Sequence, residues 1–363
     1  MKAPLFQYRQ LKDFAHKIFL KIGCSEPHAN TASHVLLSAD LRGVDSHGLA
    51  RLSGYVRIWE AKRVEPDPQI EIVHETQSTA VIDGDGGLGL VIAPYAMEVA
   101  IAKAQKCGTG WVAVKNSNHF GIAATHAMMA LPHDMIGIVM TNASALVAPT
   151  FSTERMLGTN PICVAIPAGI EPAFVADFAT TTVANGKIEI LERNNELAPL
   201  GWIQDKNGTP TQDSQVLKKG GALLPLGGDR EHGSHKGFCL AAWVDIFSAV
   251  LSGANYGPWV PPFVSFLAPP PNPVGKGIGH FLGAMRVDAF RPTSEFKSDM
   301  DNWIRRFRQA TPVSGHKQVI IPGDPERQIE KERLELGIPL SSKVVEDLGN
   351  VGKKFGVAFQ TLS

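Results

Sequence analysis

A change of hydrophobic pattern near Pro66 restricts the folds that this 363-residue chain can adopt. Before that point, apolar residues recur at helical spacing. Beyond it, glycine and turn residues separate short apolar runs such as TAVIDG, GWVAVKN, MIGIVMTN, CVAIPAG and FVADFA. Strand-length runs that alternate with helical stretches are typical of α/β and α+β proteins. The sequence therefore predicts a mixed α/β fold over roughly residues 70–300, preceded by a helical unit.

The helical unit is predicted from periodicity and capping. Apolar residues spaced along one helix face continue until Gly23, which ends the first helix. A second helix is expected from Ser25 to about Leu41. Ser46 is well placed as the N-cap of a third helix. The charged tail after Met300 is also predicted to be helical.

Composition argues against several kinds of partner. Thirty-five Lys and Arg residues balance thirty-five Asp and Glu residues, so no net field favours nucleic acid or an anionic membrane. Four scattered cysteines and an N-terminus without an apolar signal segment favour reduced thiols and a cytoplasmic location. The longest apolar run, FCLAAWVDIFSAVLSGA, carries Asp245 and is shorter than the roughly 20 residues that a bilayer span needs. It predicts a buried core helix.

The segment IDGDGGLG, residues 82–89, contains G-x-G-x-x-G between a strand-like run and a helix-like run. In a Rossmann fold these glycines allow a tight turn beside a pyrophosphate, and an acidic residue about 20 positions later binds the ribose. Here the next strand ends in Lys115 and Asn116, and Asp83 and Asp85 would place negative charge beside the phosphates. The pattern favours a tight glycine turn over a dinucleotide site.

The stretch DSHGLAR contains the groups of a carboxylate receptor. A helix that begins at Ser46 would hold His47 in its first turn and Arg51 four residues later on the same face. Partial positive charge at a helix start, an imidazole and a guanidinium together attract an anion. The alternative is a packed His47 and a solvated Arg51 on the surface.

His119, in KNSNHFG, follows a predicted strand and precedes a predicted helix. Side chains at such strand ends are common catalytic positions, because the sheet holds them at the mouth of a crevice. An imidazole, with a pKa of about 6.5, can exchange a proton at neutral pH. His119 is therefore a candidate acid/base, whereas His126, two helical turns later, is expected to be structural.

His232 and His235 form an H-x-x-H pattern that could bind a metal. The loop provides no clustered cysteines, Lys236 stands beside the pair, and the sequence offers no obvious third ligand. No metal site is predicted.

Seven segments occur in order along the chain: RGVDSHGLARL, NSNHFG, VAP with LGTNP, DFATTTVANGKIE, PLGG with HKG, GHFLGAMRVDAF and PGDPE. Together they resemble the type-2 malate/L-lactate dehydrogenase family over about residues 11–330. That family includes malate, sulfolactate and ureidoglycolate dehydrogenases, diketogulonate reductase and piperideine-2-carboxylate reductase. The resemblance implies a nicotinamide cofactor, NAD or NADP, bound on a non-Rossmann fold with a largely antiparallel seven-stranded sheet.

The resemblance also implies site residues. His119 or His47 would be the proton donor and acceptor, and Ser46, Arg51 and Tyr55 would contact the substrate. The positions that would contact the cofactor are Ser144, Thr159, Asn160, Asp177, Phe178, Ala179, Thr180, Thr181, His235, Lys236, Gly323 and Asp324.

The division of the chain that the resemblance implies has three parts. Residues 1–65 would join the C-terminal helices, residues 300–363, in a helical unit. Residues 66–120 and 280–299 would form the dimerisation and core sheet region, and residues 121–279 would bind the cofactor. A homodimer or larger homo-oligomer is expected, with the proline-rich run GPWVPPFVSFLAPPPNPVG as a surface loop or an arm near an interface.

The predicted function is the interconversion of a 2-hydroxy acid and a 2-oxo acid, malate-like or lactate-like, by an NAD(P)-dependent oxidoreductase. Two alternatives stay open: reduction of a cyclic imine carboxylate, in which nitrogen accepts the proton, and a catalytically silent binding relative. Two positions depart from the usual family pattern. Asn185 stands where an arginine is common, and Asp324 replaces the glutamate of a PGE turn.

Overall fold

The computed structural model describes residues 3–263 and 267–359 of the chain. The α-helices in order are α1 (Tyr8–Lys21), α2 (Glu26–Leu41), α3 (Leu52–Glu60), α4 (Gly89–Cys107), α5 (Ala123–Ala127), α6 (Asn185–Asn194), α7 (Ser234–Asp245), α8 (Thr293–Arg308), α9 (Asp324–Leu336) and α10 (Ser342–Phe355). The strands are β1 (Leu5–Phe6), β2 (Glu71–Glu75), β3 (Thr79–Asp83), β4 (Thr109–Ser117), β5 (Met135–Thr141), β6 (Ile162–Ile166), β7 (Phe174–Phe178), β8 (Ile203–Gln204), β9 (Pro210–Thr211), β10 (Ala222–Leu223), β11 (Ile278–Arg286) and β12 (Ile338–Pro339).

Seven strands form the central sheet, in the order β2-β3-β4-β11-β5-β6-β7. Every neighbouring pair is antiparallel except β3 and β4, which run parallel and are joined by α4. The predicted mixed fold with a largely antiparallel seven-stranded sheet is confirmed. The five apolar runs that predicted strands correspond to β3, β4, β5, β6 and β7.

Helices α4 and α5 cover one face of this sheet through small residues. Ala93, Ala96 and Ala100 of α4 are fully buried against apolar strand residues. The close approach also needs glycine on the strands: a side chain at Gly110 would overlap the carbonyl of Ala100, and one at Gly137 the carbonyl of α5. This packing fixes the ends of β4 and β5 relative to α5, which begins four residues after His119.

Helices α1, α2, α3 and α10 pack around a second apolar core, which also includes the start of α4. The first two predicted helices are confirmed as α1 and α2. The predicted third helix is wrong at its start, because two 3₁₀ turns occupy residues 45–47 and 49–51 and α3 begins only at Leu52. Gly48 interrupts the turns with a non-helical backbone (φ −93°, ψ −140°), so Ser46 is not the N-cap of an α-helix.

The second face of the sheet is covered by α7 and a following π-helical segment, Ile246–Val250. Val244 packs against the sheet, but Trp243 and Val250 remain 40% and 52% exposed. The predicted buried core helix is therefore buried on one side only. None of the helices in the described ranges is long and apolar enough to cross a membrane.

A small antiparallel sheet, β10-β8-β9, stands beside the large one. Ile203 and Leu223 of this sheet share an apolar cluster with Val183 and Ile188, which carry the chain into α6. The cluster fixes the N-terminus of α6 at the edge of the cleft described below.

Candidate active site

A cleft of about 810 Å³ separates the helical layer from the β6–β7 edge of the sheet. Its walls come from the loop after α2, the start of α5, the segment before β6, the end of β7, the start of α6 and the start of α9. The lining residues used below are Arg42, Ser46, His47, Thr159, Asp177, Phe178, Ala179, Lys187, Gly323 and Glu326.

The loop that carries Ser46 and His47 is shaped by a buried carboxylate. The Leu49 backbone N–H donates to Asp40 Oδ2 over 2.7 Å, and any side chain at Gly48 would overlap the Asp40 carboxylate. Burial raises the pKa of Asp40 to about 8, although the bond from Leu49 opposes that shift. This tertiary contact, rather than helix capping, determines where His47 lies.

Two histidines meet beside the cleft. The rings of His47 and His119 are stacked, with centroids 5.6 Å apart. Ser46 Oγ lies 2.9 Å from His47 Nδ1, and the hydroxyl of the fully buried Tyr55 lies 2.6 Å from His119 Nδ1. His47 borders the cleft, and the His119 ring is stacked on the His47 ring.

The neighbours of His119 favour one tautomer of its neutral ring. The Gly121 N–H points at His119 Nδ1 over 3.3 Å, so Nδ1 acts as an acceptor and Tyr55 donates to it as well. The neutral ring then carries its proton on Nε2. The Tyr55 hydroxyl also lies 3.5 Å from the His119 carbonyl oxygen, so it can turn its proton there and accept from Nδ1 instead.

Both imidazoles are held neutral. Burial, reinforced by the charge of Arg51, lowers the pKa of His47 to about 4. Burial also lowers the pKa of His119 well below its usual value, with further contributions from His47 and Arg51. Near pH 7 the pair therefore offers hydrogen-bonding groups without positive charge.

Two cations lie near this pair. Arg51 Nε donates to the Ser46 carbonyl oxygen over 2.6 Å, and no carboxylate in the described ranges forms an ion pair with its guanidinium. The start of α6 reaches the same loop, since a Cβ at Gly186 would lie 3.6 Å from Ser46 Cβ. Lys187, one residue later, borders the cleft without an ion pair to any residue the structure describes. This end of the cleft is therefore suited to anions.

The opposite wall carries acidic groups. Asp177, at the end of β7, accepts a hydrogen bond of 2.8 Å from the Ala124 N–H at the start of α5. The Asp177 side chain is exposed to the cleft, but the surrounding cleft walls and α5 desolvate its carboxylate and raise the pKa of Asp177 to about 6. Arg42 lies nearby, almost fully buried and paired with Glu330 over 3.0 Å, while its Nε has no hydrogen-bond partner within the described part of the chain.

Comparison with known proteins agrees with this geometry. A model of the malate/L-lactate dehydrogenase family matches residues 6–349. The malate dehydrogenase of Pyrococcus abyssi is 39% identical over 349 residues, which cover 96% of this chain and 94% of that relative. The chain belongs to the malate/L-lactate dehydrogenase family.

Other members of the family agree in sequence and in structure. The malate/(S)-sulfolactate dehydrogenase of Methanothermus fervidus is 38% identical, covering 94% of this chain and 95% of that relative. The crystal structure of malate dehydrogenase from Entamoeba histolytica superposes with a TM-score of 0.90 at 32% identity, covering 98% of this chain and 99% of that one. This family member is a nicotinamide-dependent hydroxy-acid dehydrogenase.

The structure separates the residues predicted to contact the cofactor into three groups. The first group borders the cleft and consists of Thr159, Asp177, Phe178, Ala179 and Gly323. The second group is buried framework behind the cleft and consists of Asn160, Thr180 and Thr181. The side chains of this group support the backbone. The Asn160 side-chain amide donates to the Ala241 carbonyl oxygen, and the Thr180 hydroxyl donates to the Asn160 carbonyl oxygen.

The third group does not line the cleft. Ser144 follows β5, and His235 and Lys236 begin α7, where Arg230 contacts His235 Nδ1. Asp324 is engaged by Arg308 and by Arg327.

Two further sequence patterns have defined surroundings. His232 Nδ1 bonds to Asp229 over 2.6 Å, and no three metal-ligating side chains converge within the residues that are described. In the GDGGLG turn, Asn118 Nδ2 donates to the Gly86 and Gly87 carbonyls. Gly89 lies so close to the backbone of residues 118–119 that a side chain there would overlap it. The turn therefore supports the backbone of His119.

Sequence reasoning missed several residues of the site. Arg42 and Lys187 belong to the family-like segments RGVDSHG and ANGK, and this membership could have marked them as site residues. Asp40 and Glu326 carry no comparable signal, because their roles depend on contacts between distant segments.

Proposed function

We propose that this dehydrogenase interconverts a 2-hydroxy acid and a 2-oxo acid, malate-like or lactate-like, in the cleft beside His47 and His119. The observation that carries the proposal is the pairing of two neutral imidazoles with a cation, Arg51, that has no ion-pair partner within the described ranges. A substrate carboxylate and an exchangeable hydroxyl proton need those two kinds of group.

The cleft fits a nicotinamide dinucleotide, NAD or NADP, in several respects. Its volume suits a ligand of that size, and its wall offers apolar surface around Phe178 together with the polar groups of Asp177 and Lys187. The orphaned Nε of the buried Arg42 is a donor for which a ligand oxygen would be a natural partner. When bound, the nicotinamide ring accepts or supplies the hydride. This assignment makes the fold a non-Rossmann cofactor site, since the GDGGLG turn is filled by protein groups.

Arg51 is assigned to the substrate carboxylate. A guanidinium can donate two parallel hydrogen bonds to a carboxylate, and the Nε bond to the Ser46 carbonyl holds its plane in place. Ser46 and His47 complete the receptor as hydrogen-bonding groups. Lys187 would attract a second anionic group, which favours dianionic acids such as malate over lactate.

His119 is assigned as the proton donor and acceptor, and His47 as the group that orients the substrate. Nδ1 of His119 is engaged by Tyr55 and Gly121, which leaves Nε2 for the substrate hydroxyl. To take a proton on Nε2, the ring must carry its other proton on Nδ1. Tyr55 can accept from Nδ1 when its own proton turns to the His119 carbonyl.

We also propose a homodimer built on the half-exposed helix face described above. Trp243, Ile246, Val250 and Leu251 are between 40% and 57% exposed and follow one face of α7 and its π-helical extension. This face lies in the predicted cofactor-binding part, residues 121–279, and not in the predicted dimerisation region, residues 66–120 and 280–299. Light scattering at micromolar concentration tests the assembly, and a monomer there would rule it out.

The central test is a panel of malate, lactate, sulfolactate and a cyclic imine carboxylate, each assayed with NAD(H) and NADP(H) by nicotinamide absorbance. Turnover of malate well above that of lactate is expected, with the preference reduced in Lys187→Met. Turnover of the cyclic imine alone would support the imine alternative. Failure to bind either reduced cofactor in a fluorescence titration would support the catalytically silent alternative and reject the proposal.

A further inference from the structure

We propose that Arg333 of α9 is a positioning residue that clamps the chain just before Ser46 and His47 and so holds the substrate-binding loop in shape. The catalytic consequence of this inference rests on the proposed function, whereas the effect on the loop does not.

Arg333 contacts two parts of the segment that leads into the loop. Its Nη1 donates to the carbonyl oxygen of Asp40, near the end of α2, and to Asp45 Oδ1. Its Nη2 lies 3.2 Å from Asp45 Oδ2, which makes the contact with the carboxylate two-pronged. The Arg333 side chain is only 13% exposed, whereas the Asp45 side chain is 56% exposed, so solvent screens the ion pair mainly from the Asp45 side and the buried contact to the Asp40 carbonyl is the better shielded of the two.

Neighbouring residues of α9 extend the same contact. Glu330 pairs with Arg42 over 3.0 Å, and a Cβ at Gly43 would lie 2.8 Å from Ile329 Cδ1, so no larger residue fits there without displacement. Because residues three and four apart share a helix face, Ile329, Glu330 and Arg333 present one surface to residues 40–45.

The other end of the loop is held separately. The buried Asp40 carboxylate accepts the Leu49 N–H, so Asp40 supports the loop through its side chain while its carbonyl accepts from Arg333. Ser46 and His47 lie between the Asp45 contact and the Leu49 contact. Short 3₁₀ turns have poor hydrogen-bond geometry of their own. The loop therefore depends on these two external anchors.

The direct prediction concerns loop protection, measured by hydrogen exchange and mass spectrometry on the full-length protein. Arg333→Gln should speed exchange in peptides that cover residues 45–51 by roughly tenfold or more, because charge-assisted hydrogen bonds are lost. Arg333→Lys should restore part of the protection, since one charged contact can remain. Lys331→Gln, on the exposed side of α9, is the matched control and should leave the loop unchanged.

The catalytic prediction is that KM for the hydroxy acid changes while the Kd for NADH does not. With Arg333→Gln, KM for the hydroxy acid should rise roughly tenfold, while the Kd for NADH stays within about twofold, because a displaced loop weakens substrate binding more than cofactor binding. Asp45→Asn should have a similar effect. The double variant should add little to either single change, since the two side chains form one contact.

Distinct outcomes separate the claims. Unchanged exchange at residues 45–51 in both Arg333→Gln and Asp45→Asn would overturn the inference. Faster exchange with an unchanged KM would overturn its catalytic part and leave Arg333 as a structural contact of the loop. If the wild-type protein oxidised no hydroxy acid, the proposed function would fail, while the exchange data would still decide whether Arg333 holds the loop. If Arg333→Gln did not fold, Arg333→Lys and Asp45→Asn would decide the same question.

Discussion

Two pairs of histidines differ in what their side chains can reach. His47 and His119 stack beside the cleft. His126 and His280 each pack against Phe120, with ring centroids 4.8 Å away, and both are fully buried. The first pair therefore borders the cleft, whereas the second pair is enclosed by protein.

The hydrogen bonds of the buried pair are internal. His280 lies 2.7 Å from both the Thr141 and the Ser117 hydroxyls, and His126 Nε2 bonds to the Phe120 carbonyl. Burial lowers the pKa of His126 to about 4 and that of His280 to about 3. Since both pairs have lowered pKa values, a perturbed pKa alone does not mark a catalytic histidine. An opening onto a cleft and a nearby cation without a carboxylate partner distinguish the cleft pair.

The largest effect is expected from His119→Asn. The asparagine oxygen can still accept from Tyr55, so folding should be kept while turnover falls roughly 10²–10⁴-fold. His47→Asn should mainly raise KM and preserve the pH dependence of turnover. Steady-state kinetics across pH tests both variants. If His47→Asn abolished the pH dependence and His119→Asn kept it, the two roles would be exchanged.

His280→Ala should have the opposite effect, which is a loss of stability with little loss of turnover. It leaves the Ser117 and Thr141 hydroxyls without their buried partner and opens a cavity beside Phe120, which should lower the free energy of unfolding by roughly 3–5 kcal/mol. Below its melting transition, the folded variant should retain most of its activity per molecule. Denaturant unfolding and kinetics on the same sample measure both quantities. A large loss of kcat with unchanged stability would remove the contrast between the pairs.

Arg51→Lys tests the cation that sets the cleft pair apart. Lysine keeps the charge but loses the planar fork, so KM for the hydroxy acid should rise by roughly 10–100-fold, equivalent to about 1.5–3 kcal/mol. The lowered pKa of His47 should persist, because burial, its main cause, is unchanged and a positive charge remains. Kinetics and a histidine NMR titration measure the two effects. An unchanged KM would exclude Arg51 from carboxylate binding.

The dependence of the free energy of unfolding on acid pH should reveal the contribution of the buried pair. The folded-state pKa values lie below the ordinary histidine value, so the unfolded chain binds protons first as pH falls below about 6.5. His126 should therefore reduce stability between about pH 6.5 and pH 4, with a slope of up to about 1.4 kcal/mol per pH unit. His126→Phe should flatten that slope. Equal slopes in wild type and His126→Phe would contradict the buried, neutral state of His126.

The sequence allowed the fold to be predicted better than the site. Periodicity located α1 and α2, and short apolar runs located the strands, because both patterns depend on local spacing. The same reasoning placed Ser46 at a helix start, and it was wrong because Asp40, from another element, holds Leu49 and excludes a side chain at Gly48. In the sequence Arg333 cannot be distinguished from a surface charge, because its role depends on the packing of α9 against α2.

The smallest expected effect comes from Tyr55, the residue that connects the cleft pair to the protein interior. Tyr55 was predicted to contact substrate, but it is fully buried and bonds to His119 Nδ1. Tyr55→Phe would leave the Gly121 N–H as the only described neighbour of that nitrogen, which favours the tautomer whose Nε2 already carries a proton. Oxidation of the hydroxy acid, which needs a free Nε2, should slow roughly tenfold, corresponding to the loss of one buried hydrogen bond of about 1 kcal/mol or more. KM should change little. The rates of oxidation and reduction, measured separately, test this idea. A rise in KM with unchanged rates would instead indicate that Tyr55 contributes to substrate binding and that other residues determine the tautomer of His119.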